Sequence, residues 1–321
     1  QKENSQLVLS NLKNNFPENK KLTKKVLKIL LNKNKTNDAL NTILELRKKE
    51  IDFFSLELGM HYSMIMEIEK SLNEFFLYLQ EKPNQKDFVF NRILAFPDLD
   101  FIINKIRFYL ENKNTMHATL LLSKIEFKQH NYQKSYELIS KYKEEEENFI
   151  KFIEDLIKVK EYELAQKVIK DVLENNFKTK NLEKAIFLLA EIFENMLINQ
   201  KNNLLIMNDI QNNELLNSPF KKIDKNNNML LDKAINIYDS LRINTKQIKA
   251  LYHLAEINYK IIGDLDNANA LYNQIISMGY NQYYNQSIEK IINIMISKGE
   301  LEKGMNFIEN NLESLKRDDI K

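Results

Sequence analysis

The chain has 321 residues, among them five Gly, four Pro, no Cys and no Trp. Gly and Pro fall far below their usual combined share of roughly 12%, which excludes sandwiches, barrels and propellers, folds that turn tightly and often. The lack of thiols excludes disulfides, thiolate catalysis and zinc fingers. The net charge of +2, from 47 basic and 45 acidic residues, gives no long-range attraction to nucleic acid or anionic membranes. With 43% hydrophobic and 29% charged residues, the composition is that of a globular chain with a sizeable core. No apolar run approaches the ~18 residues that would span a bilayer. Gln1 is not a start methionine, so the chain reads as a processed form or an excised fragment, with no signal peptide within it.

In chain order, a small residue opens a helix again and again: Ala39, Ser71, Ser135, Ala165, Ala234, Ala268 and Gly304. The fourth position after each is apolar or aromatic, as in Ile43, Phe75, Ile139, Ile169, Tyr238, Tyr272 and Ile308. Such spacing predicts helix pairs that cross closely at the small residue. The wide interval between Ser71 and Ser135 would hold a degenerate pair over 86–114, its second helix starting at Pro97-Asp98. Turns are expected at His130-Asn131-Tyr132, Lys160-Glu161-Tyr162, Gly263-Asp264-Leu265 and Gly299-Glu300-Leu301, each just ahead of the small residue. Between Asn199 and Met229 the pattern gives way to an Asn-rich stretch. It reads as an insertion over 200–228 between the two helices of one pair, with a short helix over 204–216.

The sharpest unit spans 52–84, where Leu58-Gly59 is followed by Tyr62, then Ser71, Phe75, Tyr78 and Pro83. These residues at these spacings resemble the tetratricopeptide repeat, whose tryptophan position is held here by Ser55. The resemblance covers about 22–311. It implies an all-α fold, an α-solenoid of stacked antiparallel helix pairs in a right-handed superhelix of about seven to eight degenerate units. It also implies that 1–321 is a single array with a concave groove lined by the first helix of each pair. The Leu189-Ala-Glu-Ile and Leu254-Ala-Glu-Ile segments, with Gly263-Asp-Leu-Asp-Asn-Ala268, look like those of bacterial cell-envelope repeat proteins. That likeness implies a periplasmic or membrane-associated location and a part in envelope assembly.

Catalytic patterns are missing from the sequence. There is no Gly-x-Gly, and Gly299-Glu-Leu-Glu-Lys-Gly304 continues with Met305-Asn306 where a phosphate loop needs lysine and a hydroxyl. The four histidines, His61, His117, His130 and His253, show no i, i+4 pairing for a metal. The run Glu144–Glu147, beside Lys141 and Lys143, reads as a solvated helix end. No catalytic, cofactor-binding or metal-ligating residue and no small-molecule substrate is therefore expected.

The expected function is a non-enzymatic scaffold that binds a protein or peptide in its groove. Helical phase assigns Phe53, Leu56, Met60 and Met64 to the groove of the sharpest unit, an adaptable apolar patch. Lys124, Phe127, Lys128, Lys151 and Lys158 would add a basic strip, interrupted by Glu154, that suits an acidic or carboxylate-ended peptide. Two alternatives stay open: an RNA-binding helical repeat, which the balanced charge disfavours, and a regulatory or docking segment of a larger enzyme.

Overall fold

In the computed structural model, residues 2–33, 35–175, 177–205 and 228–315 are described. They form seventeen α-helices, a short 3-10 turn and a π-helical turn, with no strand among the described residues. The helix of 204–216 expected from sequence lies outside the described residues from 206 onward. The chain folds as two compact units, Gln1–Tyr142 and Lys143–Lys321.

Unit 1 starts with α1 (Lys2–Asn14). It continues with α2 (Lys20–Asn32) and α3 (Thr36–Leu46), α4 (Ser55–Met64) and α5 (Ile68–Glu81), α6 (Lys86–Leu94) and α7 (Asp100–Lys113), and α8 (Met116–Lys128) and α9 (Tyr132–Ile139). Unit 2 contains α10 (Glu146–Lys158) and α11 (Tyr162–Glu174), α12 (Thr179–Leu205) and α13 (Met229–Thr245), α14 (Ile248–Glu256) and α15 (Leu265–Ser277), and α16 (Tyr284–Ser297) and α17 (Leu301–Leu315). Apart from α12 and α13, which the Asn-rich insertion separates in sequence, short connections make consecutive helices antiparallel neighbours, and each pair packs on itself. The exception is α6 with α7: each packs on α5 and α8 instead of closely on the other. Both helices turn bulky residues inward, Phe90 and Ile93 from α6 and Ile102, Ile103 and Ile106 from α7, so no small residue lets their axes approach.

In the other pairs the small residue is the seam. Ala39, Ser71, Ser135, Ala165, Ala234 and Ala268 are fully buried. Ser71 Oγ donates to the Gly59 carbonyl across the α4–α5 crossing at 2.8 Å, twelve positions away. Ser123 and Ser135 repeat that contact, again twelve apart, each hydroxyl reaching the other's carbonyl at 2.9 and 2.7 Å. A Cβ on Gly59 would stand 2.8 Å from the Phe75 ring, so glycine here is what allows the helices to touch.

Among the described residues, one kind of turn recurs in five of the pairs. The residue five before the small one adopts a left-handed backbone: Met66 (φ 61°), His130 (60°), Lys160 (65°), Gly263 (74°) and Gly299 (73°). The next N–H then donates to a carbonyl five residues back: Glu67 to Tyr62, Asn131 to Glu126, Glu161 to Leu156 and Glu300 to Met295, each at 2.9 Å. This is a Schellman closure, which satisfies carbonyls left without intrahelical partners at the end of each first helix. In α14 the closing bond runs six residues, from Asp264 N–H to Asn258 O, because Ile257–Ile262 winds as a π-helix. Ala255 precedes Ala268 by thirteen positions rather than twelve, and the π turn absorbs the extra residue without moving the seam.

Candidate functional site

The residues expected on the groove divide between the units. In unit 1, Leu56 and Met60 are half-buried on α4, and Met64 is 72% exposed at its end. Phe53 corrects the expectation: it is 1% exposed, in the core with Leu27, Leu46 and Leu58, and edge-on to Phe16 at 4.8 Å. Helical phase misplaces it because α4 begins only at Ser55, after Phe54 has taken a left-handed backbone (φ 64°), so Phe53 is not in register with the helix that follows.

On α8, Lys124 is half-buried and Phe127 packs its ring on Tyr132 at 5.0 Å. Lys128 donates back one repeat to the Leu94 carbonyl at 3.2 Å and lies 4.0 Å from the Asp98 carboxylate. On α10 of unit 2, Lys151 is exposed, whereas Lys158 donates to Asp155 at 2.8 Å, a hydrogen bond and a charge that raise its pKa. Glu154 is bound by Lys184 of α12 at 2.7 Å. Lys128 and Lys158 are thus engaged by the protein's own oxygens.

Sequence reasoning missed a cluster on the first helices of unit 2. Phe187, Glu191 and Glu194 follow one another at i, i+4 and i+7, which puts them on one face of α12. Glu194 Oε2 accepts the Tyr238 hydroxyl of α13 at 2.8 Å and lies 2.7 Å from His253 Nδ1 of α14. Tyr238 has one proton, and its distance to His253 Nδ1 is longer, 3.3 Å. The proton goes to the carboxylate, so Nδ1 must itself donate. The network therefore assigns His253 Nδ1 the donor role toward Glu194. Burial first, then the charge and hydrogen bond of Glu194, push the Tyr238 hydroxyl pKa far up, which keeps it a donor at any ordinary pH.

Around this network the rings are continuous. Tyr238 stacks on His253 at 5.1 Å, Phe187 meets His253 edge-on at 5.2 Å, and Tyr252 stacks on Tyr283 at 4.5 Å and 18°. The Lys249 ammonium stands 4.0 Å over the Phe187 ring. Next to them Glu256, buried to 7%, accepts the Tyr272 hydroxyl at 2.6 Å and pairs with Lys260. Burial works against its charge, but the Lys260 and Tyr272 hydrogen bonds outweigh burial and hold its pKa below the usual carboxylate value. The spacing on α12 was legible. That it meets His253 was not, because 59 positions and the Asn-rich insertion separate His253 from Glu194.

The seam, the turn and the twelve-residue spacing define an all-α solenoid of tetratricopeptide-like helix pairs. No family model matches the chain. No curated protein matches it either. Among solved structures it is similar to the TPR domain of P58(IPK), at 10% identity over 92% of this chain and 93% of that one. The TM-score of that match is 0.26.

Proposed function

We propose that the chain is a non-enzymatic scaffold that binds a protein or extended peptide along the first helices of its pairs, and that 1–321 works as one array. The observation that carries this reading is the division of labour in each pair. The seam positions are consumed by packing, while first helices keep aromatic, methionine and charged side chains at partly exposed positions: Met60 and Met64 on α4, Glu191 on α12, Tyr252 on α14. Surfaces of that composition suit partner binding. A place in bacterial envelope assembly is the finer reading; only the wording of the α12 and α14–α15 segments supports it.

The test is site-specific photocrosslinking in native lysate. Benzoylphenylalanine at Leu56 or Tyr252, on first helices, should give discrete crosslinked proteins, and the same probe at exposed Phe108 of α7 or Met305 of α17, on second helices, should not. Equal labelling from both sets, or none from the first, would end this reading. Fractionation of the full-length protein in its cell tests the envelope placement, which a purely cytosolic pool would contradict.

A further inference from the structure

We propose that the first-helix face of unit 2 carries a cup for one cationic side chain, a lysine or arginine of a bound partner, built from Phe187 and Glu191 of α12, Tyr252 and His253 of α14, and Tyr283 just ahead of α16. The inference rests on the scaffold reading and names the chemistry of one contact within it.

Charge matching carries the argument. Glu194 is satisfied by Tyr238 and His253, and Glu256 by Lys260 and Tyr272. Glu191, half-buried on the same face as Glu194, has no ion-pair or hydrogen-bond partner among the described residues. Its charge is nevertheless felt in the cluster: after the effect of burial, it contributes to raising the pKa values of both Tyr238 and Tyr283. A half-buried carboxylate one helical turn from the Phe187 ring attracts a cation twice, through its charge and through the ring quadrupole. With Nδ1 turned to Glu194, the second ring nitrogen of His253, Nε2, is the atom that can accept an N–H of that cation when the imidazole carries one proton. The protein already shows the preference of these rings, because its own Lys249 ammonium rests on Phe187. A partner's cation would displace Lys249, whose chain is exposed and free to swing into water.

The test uses the full chain with histidine and tyrosine side chains isotopically labelled, titrated with methylguanidinium chloride and with tetramethylammonium chloride. Sodium chloride at equal ionic strength is the baseline. Saturable shifts at Tyr252, Tyr283 and His253 are expected from both cations, with methylguanidinium the tighter because it can donate to Nε2. Glu191→Gln should weaken both at least about fivefold, and Lys249→Met should tighten both, since a competing cation is removed. Circular dichroism checks that each variant remains folded. Shifts that do not saturate, an unchanged affinity in E191Q, or no gain in K249M would each overturn the cup. None of these results depends on a natural partner, so the cup can fail while the crosslinking result stands, and the reverse.

Discussion

Gly59 and Glu126 show how much a single position can decide. At Gly59 a methyl group would meet the Phe75 ring at 2.8 Å, on a seam where both helices are held by further packing. Gly59→Ala should therefore destabilise unit 1 by about 2 kcal/mol through overpacking, although alanine is the better helix former. An unchanged midpoint in thermal unfolding would show that the seam yields. Glu126 of α8 is fully buried and takes four donors: Arg107 at 2.9 and 3.1 Å, Lys134 at 2.9 Å and Asn131 at 2.8 Å. Burial pushes its pKa up, but the hydrogen bonds of Lys134, Asn131 and Arg107 outweigh that and hold it below the usual value. A carboxylate with a depressed folded pKa contributes stability that is complete above the unfolded value, about 4.3, and is lost as pH falls through the folded one. Glu126→Gln should cost about 2–3 kcal/mol near neutral pH and flatten the acid limb of the stability curve below about pH 4. An acid limb identical to that of the parent would contradict this assignment.

At the scale of the element, the five left-handed turn residues perform one task with different side chains. Gly263 and Gly299 adopt φ near 74° without steric cost, whereas Met66, His130 and Lys160 hold the same region against it. Met66→Gly should stabilise the α4–α5 pair by roughly 0.5 kcal/mol, and Gly299→Ala should destabilise the α16–α17 pair by about 1 kcal/mol. Chemical denaturation measures both, and equal signs would refute the account. The π turn of α14 makes a second claim. Deleting the exposed Lys260 should return Ala255 and Ala268 to the common spacing and leave a folded, fully helical protein. Deleting the exposed Lys158 from α10, which has no spare residue, should disrupt the packing of α10 on α11 at Ala165. Helicity and cooperative melting distinguish the two outcomes.

These elements also show what could be read from the chain alone. Small residues at a fixed offset from an aromatic are a local signal, so the seams and the turns at His130, Lys160, Gly263 and Gly299 were legible. The turn at Met66 was not, because its left-handed backbone is imposed by the Schellman closure and carries no mark of its own in the sequence. Phe53 was misread because helical phase was extended past the point where the helix starts. The π turn is visible in sequence only as one extra residue between two alanines. The Glu194, His253 and Tyr238 network escaped notice because three helices must pack before its members meet.

At the scale of the molecule, several polar links between neighbouring helix pairs share one length among the described residues. Lys24 with Glu57, Arg47 with Glu74, Lys184 with Glu154 and Lys298 with Asp266 join positions 27 to 33 apart on neighbouring pairs. That distance is about one repeat, so these links tie a pair to its immediate neighbour. Most of these links are partly solvated and contribute about 0–1 kcal/mol each. Raising salt from about 50 to 500 mM should therefore shift the melting midpoint by only a few degrees. A larger fall would mean that the links carry more of the stability than the seams do.

Links of one-repeat reach make the chain tolerant of editing by the period. Removing or duplicating a stretch of one repeat between equivalent turns would give every cut end a neighbour with the same kind of seam and much the same polar reach. A cut that ignores the period would strand a helix with its apolar stripe exposed. The same locality bears on the Asn-rich segment between α12 and α13, which enters the chain inside a pair whose helices already hold each other. Shortening that segment should therefore leave the packing of α12 on α13 at Ala234 in place.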